Sequence, residues 1–300
     1  MVLHQLYSNL KALSQLKENR KRVGRLRFKQ KGWYKTFIYN QSGFKLIETG
    51  KRLDVLHLSK IGDIPIRLHR KVEGKIKQVI IKRHNSGNWF ACICVEKEEN
   101  IIRREWKKDI GIDVGIKHFL TDSEGRQIEN PRFYEKTLER ISITQHWLSK
   151  KKKGSNNYEK QRMKLARLYE RLTDQRDDFL HKLSRFYINS YDVIYVEDLK
   201  ISNMVRNRNL SQKILDASWG KFLQMLEYKA ERAGTRVFRV NPRGTSEGLS
   251  FEDPFRDYIS ANRIKMRGRD SPDPPAEKRP LRGLIHVPAS LIVEAGSPLR

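Results

Sequence analysis

The sequence predicts an α/β protein in two parts, and three observations carry that expectation. From residue 23 to about 99 the apolar period moves toward two, around regular turn signals, as short strands require. Beyond Trp106 the order becomes a strand pair, two long helices, then strand, helix, strand and helix. Residues 1–20 stand apart from both, with Leu3, Leu6, Leu10, Leu13 and Leu16 on one helical stripe.

The elements follow in order. In the first part, "KTFIYNQSGFKLIETG" holds a Gln-Ser-Gly turn between strand-like arms, and the stretch from "IPIRLHRK" to "NWFACICVEK" holds Glu-Gly and Ser-Gly turns. Such spacing predicts a small β-barrel or sheet, so residues 1–104 are expected as a helix plus a β-barrel-like domain. The second part, 105–267, opens with "KDIGIDVGIKHFLTD", "SEG" and "RQIENPRFY", which predict a hairpin. Residues 134–190 are strongly helical, and "SKKKKGSNN" at 149–157 interrupts them, so two helices should fold back as a helical hairpin. "YDVIYVEDL" predicts a buried strand, 211–233 a helix ended by Gly234, "RVFRVNP" a further strand, and "FRDYISANRIKMRG" a helix that Gly268 stops. Most of the prolines lie in 268–300, expected as a proline-rich extended tail.

Charge narrows the function. Lys and Arg number 62 against 35 acids, a formal net charge of +27. That excess exceeds what solubility needs and points to a polyanion, nucleic acid first. An anionic membrane surface competes, yet such binders concentrate charge on one amphipathic helix, and here it runs through the whole chain. The two cysteines, Cys92 and Cys94, are strand neighbours poorly placed to bridge, so core thiols and a reducing compartment are expected. No apolar stretch is long enough to span a bilayer. A cytoplasmic, nucleoid-associated protein is the expectation.

Cations alternate with aromatic rings at Arg25, Arg27, Lys29, Lys31, Trp33 and Tyr34, a pattern suited to gripping phosphates and stacking bases. The competing reading is a β-domain with inward aromatics and a solvated basic exterior. Lys151 and Lys152, in the run between the two long helices, are candidate phosphate contacts or a solvated loop. Arg243 in "NPRGTS" precedes a glycine and two hydroxyls, a plausible phosphate-gripping turn or a polar loop. The eight histidines, His118 among them, show no metal-ligand spacing. Trp219 and Phe222 are expected in the core.

Three carboxylates fall at positions where α/β proteins build sites. Asp113 lies inside a first strand, Glu197 ends a later one, and Asp257 sits on a helix beyond both. Carboxylates that converge repel one another unless a multivalent cation neutralises them, and a hard, oxygen-seeking ion such as Mg²⁺ meets that need. Two such ions can activate water and steady the leaving oxygen of a phosphodiester. Taken singly, each acid has a structural alternative. Asp113 could form a strand-end turn, Glu197-Asp198 could cap a following helix, and Asp257 could pair with Arg256 or Arg263.

The motifs "GIDVGIKHFLTDSEG", "YDVIYVEDLKISNM", "NPRGTSEGLS" and "RDYISANRI" together resemble those of TnpB, also called OrfB, a transposon-encoded family related to the type V CRISPR effectors. The resemblance implies a RuvC/RNase H-like mixed sheet with flanking helices, and an RNA-guided, Mg²⁺-dependent DNA endonuclease. It places the family's three carboxylates on Asp113, Glu197 and Asp257, and implies guide RNA and target DNA as partners. Members carry a zinc ribbon of two CxxC pairs where "TSEGLSFEDPFRDY" runs through without cysteine, so zinc is not expected. They also begin with a strand where this chain begins in helical sequence, which implies a shortened N-terminus. Two other readings stay open: a guide-dependent DNA-binding protein of the same fold that does not cut, and an unguided junction resolvase.

Overall fold

In the computed structural model the described residues are 2–24, 33–96, 104–250, 252–270 and 293–295. The chain divides into two compact units, Met1–Glu98 with Gly283–Arg300, and Glu99–Arg282. It is a mixed α/β protein of sheets and helices, as the sequence predicts.

The first unit opens with α1, Val2–Glu18, where the leucine spacing places it. Its Leu6, Leu10 and Leu16 are exposed to solvent. Six strands follow: β1 Thr36–Asn40, β2 Phe44–Ile47, β3 Asp54–Leu58, β4 Gly62–Ile66, β5 Lys75–Arg83 and β6 Trp89–Glu96. β1, β5 and β6 form one antiparallel sheet and β2, β3 and β4 another. Leu56, Leu58 and Ile66 of the second sheet share a core with Val79, Ile81, Ala91 and Ile93 of the first. The Gln-Ser-Gly turn therefore passes the chain between sheets rather than closing a hairpin, with Gly43 at φ 83°. The Ser-Gly turn does close one, between β5 and β6, where His84 N–H donates to Asn88 O at 2.8 Å. Cys92 and Cys94 lie two apart on β6 as half-buried free thiols, and burial raises the pKa of each. Most of the proline-rich tail lies outside the described residues, and Val293–Ala295 pairs antiparallel with Trp89–Ala91.

The second unit is built on one five-stranded sheet. Its strands are β7 Asp109–Val114, β8 His118–Asp122, β9 Gln127–Glu129, β10 Val193–Glu197 and β11 Arg236–Val240, in the order β11-β10-β7-β8-β9. β7, β10 and β11 run parallel, and β8 and β9 continue as an antiparallel meander. Helices α2 Phe133–Ser149 and α3 Asn156–Ser190 form the expected helical hairpin. Next come α4 Ile201–Met204, α5 Arg208–Ala217, α6 Trp219–Ala233 and α7 Arg256–Arg269.

Both faces of the parallel strands are covered. On one, Ile110, Ile112, Ile194 and Val196 meet Leu180, Tyr187 and Ile188 of α3 and Trp219, Phe222 and Leu226 of α6. On the other, Ile264 of α7 packs with Val193, Tyr195, Phe238 and Val240. That double burial is why "VIYV" is a continuous apolar run rather than an alternating one, while β11, at the sheet's edge, keeps Arg236 and Arg239. The β8–β9 turn is tied to α3 through Asp122, which is fully buried. Its carboxylate accepts from Glu124 N–H, Arg126 N–H and Arg126 Nε, and from Tyr187 O–H at 3.0 Å.

Three local expectations are corrected. The segment 109–130 is a three-stranded meander rather than one hairpin, because the chain also turns at Gly115–Lys117. The helix expected over 211–233 is two, broken at Ser218, whose φ of 57° ends α5 and lets α6 leave in a new direction. Trp219 and Phe222, just past that break, are buried in the core as expected.

The third correction concerns Gly268, which lies inside α7 and does not stop it. A Cβ there would collide with the Tyr195 ring of β10. Gly111 of β7 has the matching role, since a Cβ on it would strike the Ala261 carbonyl and stand 2.8 Å from Lys265 Cβ. Two glycines thus bring α7 and the sheet to near backbone contact. At the far end Asp109 holds α7 through Arg269, whose Nε and Nη2 lie 2.5 and 2.7 Å away, and through Lys265 Nζ at 3.3 Å. Replacing Gly111 with Ala should lower unfolding free energy by more than about 2 kcal/mol, because overpacked backbone cannot yield as a flexible side chain can. Gly24→Ala, with nothing within 4 Å, should stay within about 0.5 kcal/mol of the parent in the same urea titration.

Candidate functional site

The site begins with strand register. Val196 of β10 pairs with Ile112 of β7 in parallel. Asp113 and Glu197 are the next residues along, so they lie side by side where the apolar runs end. The carboxyl ends of parallel strands hold side chains rigidly yet leave them reachable.

Asp257 arrives from the other direction, in the first turn of α7. Ala261 lies over Gly111. Four helical residues back from Ala261 is about 6 Å, and two strand residues forward from Gly111 is about 6.6 Å. The glycine contact therefore brings Asp257 to the level of Asp113.

The electrostatics agree with that placement. Asp113 is pushed up to about 8, chiefly by burial, then by the charges of Glu197 and Asp257, with Arg256 opposing. Burial also raises Glu197, against a hydrogen bond from Thr245 and the charge of Arg267. Thr245 Oγ1 donates to Glu197 Oε1 at 2.5 Å. Among the described residues, no three acidic, histidine or cysteine side chains stand close enough together to form a complete ligand shell as placed. The three carboxylates act on one another's charge without closing into such a shell. Their chemistry, oxygen donors sharing a charge they cannot comfortably keep, suits a hard divalent cation.

Two of the structural alternatives for these acids are taken up elsewhere. Asp198 pairs with Arg239 Nη1 at 2.9 Å, and α4 has no side-chain cap. Arg263 donates to loop carbonyls, with Nη1 2.7 Å from Glu247 O and 3.3 Å from Thr245 O. His118 faces Glu129, its Nδ1 3.6 Å from Oε1.

The remaining candidates disperse. Arg25, Arg27, Lys29 and Lys31 lie outside the described residues. Trp33 and Tyr34, just before β1, are 65% and 69% exposed. Lys151 and Lys152 are exposed in the turn between α2 and α3. Arg243 is exposed in the loop after β11, and its carbonyl accepts from Arg267 Nη1. Sequence reasoning gave no role in the site to Thr245, Arg267, Gly111 or Gly268. The motif "NPRGTS" and the four-residue spacing of Arg263 and Arg267 were the available signals for the first two.

Comparison with known proteins follows the same residues. The OrfB IS605 family, described as probable transposase, matches residues 92–208, and a Cas12f1-like TNB domain matches 219–251. The Escherichia coli K12 protein named "Putative RNA-guided DNA endonuclease InsQ" is 32% identical over 263 residues, 82% of this chain and 64% of that protein. A Streptomyces pristinaespiralis protein named "Putative RNA-guided DNA endonuclease" is 37% identical over 163 residues, 54% of this chain and 40% of its own. A TnpB-like protein of Methanocaldococcus jannaschii is 28% identical over 187 residues, 58% of this chain and 64% of that one. The chain thus spans less than two thirds of the length of these relatives. Among solved structures, Cas12f1 in its complex with sgRNA and target DNA superposes with a TM-score of 0.53 at 14% identity, over 86% of this chain and 69% of that one, a likeness of fold. Through both domain matches and these relatives, the chain is similar to the TnpB/OrfB group, whose family model is described as probable transposase.

Proposed function

We propose that this protein is an RNA-guided DNA endonuclease of the TnpB type, hydrolysing phosphodiesters at Asp113, Glu197 and Asp257. The observation that carries this is Asp113, an acid raised to about 8 beside two further carboxylates in a chain of net charge +27. The sheet order β11-β10-β7-β8-β9, three antiparallel strands continued by two parallel ones, supports a RuvC/RNase H-like arrangement.

Asp113, Glu197 and Asp257 would hold Mg²⁺, two ions by the chemistry of phosphodiester cleavage. Bound there, the metal supplies charge neutralisation and a more acidic water. The chain's own residues do the rest. β7 and β10 hold Asp113 and Glu197 in register, α7 carries in Asp257, and Thr245 orients Glu197. Guide RNA and target DNA are the partners that the charge and the relatives' names support. The first unit, with its barrel-like strands and the rings of Trp33 and Tyr34, would take single-stranded RNA. Arg25, Arg27, Lys29, Lys31, Lys151, Lys152 and Arg243 would hold backbone phosphates, leaving sequence reading to base pairing. Such a protein would act in the cytoplasm, on the nucleoid.

A second reading, a guide-dependent DNA binder that does not cut, is favoured by the incomplete ligand shell among the described residues. A guide-matched plasmid with Mg²⁺ separates the two. The nuclease linearises or nicks it; the binder shifts it in a gel and leaves it whole. In the nuclease, Asp113→Ala should lower cutting by about a thousandfold or more, with the gel shift unchanged.

The raised carboxyl of Asp113 has two consequences for pH. The folded protein keeps a proton that the unfolded chain releases near pH 4, so metal-free stability declines from about pH 4 to about pH 8 and then levels. Asp113→Asn should remove that decline and stabilise the metal-free protein by on the order of 2 kcal/mol at pH 8.5. The gain should vanish toward pH 4, as melting curves across pH would read. In the parent, the same proton competes with the cation, so half-saturating Mg²⁺ should fall as pH rises from 6.5 and level above about 8. For the nucleic-acid surface, Trp33→Ala and Tyr34→Ala should each weaken single-stranded RNA binding by about tenfold in filter assays.

A further inference from the structure

We propose that Thr245 is a positioning residue for Glu197, held in place by Arg263 and Arg267, so that α7 governs two carboxylates. It carries Asp257 directly and sets Glu197 through the loop 241–247. The inference rests on the carboxylates forming a cation site.

Glu197 ends β10, where the ladder stops supporting the chain, and its three side-chain torsions would let the carboxylate swing. Thr245 takes away that freedom. Its hydroxyl is 2.5 Å from Glu197 Oε1 and 2.9 Å from Pro242 O, and the residue is only 2% exposed. A buried, β-branched side chain has few rotamers to choose from, so its oxygen is a fixed point. A bond from it to a carboxylate is charge-assisted and selects one orientation of the acid.

A loop hydroxyl is only as fixed as its loop. Residues 241–247 belong to no helix or strand, and side chains of α7 take up the loop's carbonyls. Arg263 Nη1 donates to Thr245 O at 3.3 Å and Glu247 O at 2.7 Å. Arg267 donates to Arg243 O and, through Nη2 at 3.1 Å, to Gly244 O. The two arginines are four residues apart and share one side of the helix. Gly244, at φ 78°, leaves the room this needs, since a Cβ there would stand 3.0 Å from Arg267 Nη2 and 2.9 Å from Glu247 Oε2. A guanidinium can bridge neighbouring carbonyls as a planar fork, which a lysine ammonium cannot.

The test uses the full chain purified free of nucleic acid, with Mn²⁺ as the probe and its affinity read by electron paramagnetic resonance titration. Thr245→Val should weaken Mn²⁺ binding by at least about tenfold, the loss seen when a partner behind a metal ligand is removed. Thr245→Ser, which keeps the hydroxyl, should recover affinity to within about threefold of the parent, a rescue that a packing role would not produce. Arg267→Lys changes an exposed side chain and cannot open the core, and should weaken Mn²⁺ binding about threefold. Parent-like affinity in Thr245→Val and Arg267→Lys, with weak binding in Glu197→Ala, overturns the positioning role and leaves the carboxylate site standing. Parent-like affinity in Glu197→Ala and Asp113→Ala overturns both.

Discussion

The close approach of α7 to the sheet is the contact on which the site depends. Helix and strand backbones ordinarily stand apart by the width of their side chains. Here Gly111 on β7 and Gly268 on α7 remove two of those side chains. The helix settles through Ala261 on Gly111 at one point and through Gly268 on the Tyr195 ring at another, and Asp109 fastens its far end through Arg269 and Lys265. Once the helix is so fixed, the backbone of Asp257 is placed with it. The cost is a glycine inside a strand and another inside a helix, each about 1 kcal/mol less favourable than alanine in open surroundings. Packing of Ile264 with Val193, Tyr195, Phe238 and Val240 offsets it.

The acids of the meander show how environment, rather than residue type, sets behaviour. Asp109 and Asp113 lie four apart on the same strand. Burial works to raise the pKa of both, yet Arg269 and Lys265 hold Asp109 below the usual range while Glu197 and Asp257 push Asp113 up to about 8. Asp122, fully buried on the next strand, has four donors around it and serves structure. An acid whose charge is left uncompensated while its neighbours' are answered marks a place built for something else. Asp113 falls where the parallel strands end.

Much of the fold was legible because local periodicity survives in a linear chain. The amphipathic stripe of α1, the helical hairpin broken at 149–157 and the strands β10 and β11 were all legible in the local pattern. The misreadings share one cause. Gly268 was judged by what it does to local backbone, and the breaks at Ser218 and Gly115 went unread, whereas each is placed by a distant partner or a change of direction. A glycine that stops a helix and one that admits an aromatic ring look alike in sequence. So do turns within one sheet and between two, as the Gln-Ser-Gly segment shows.

The sequence by itself determined the periods of the elements, the excess of positive charge and the identity of three candidate carboxylates. Those properties depend on residue identity and near neighbours. Only the tertiary structure decided which arginines were already engaged, how near α7 could come to β7 and β10, and that a loop threonine reaches Glu197. Each of these is a contact between residues far apart in the chain, some by more than a hundred positions, so no short window of sequence contains it.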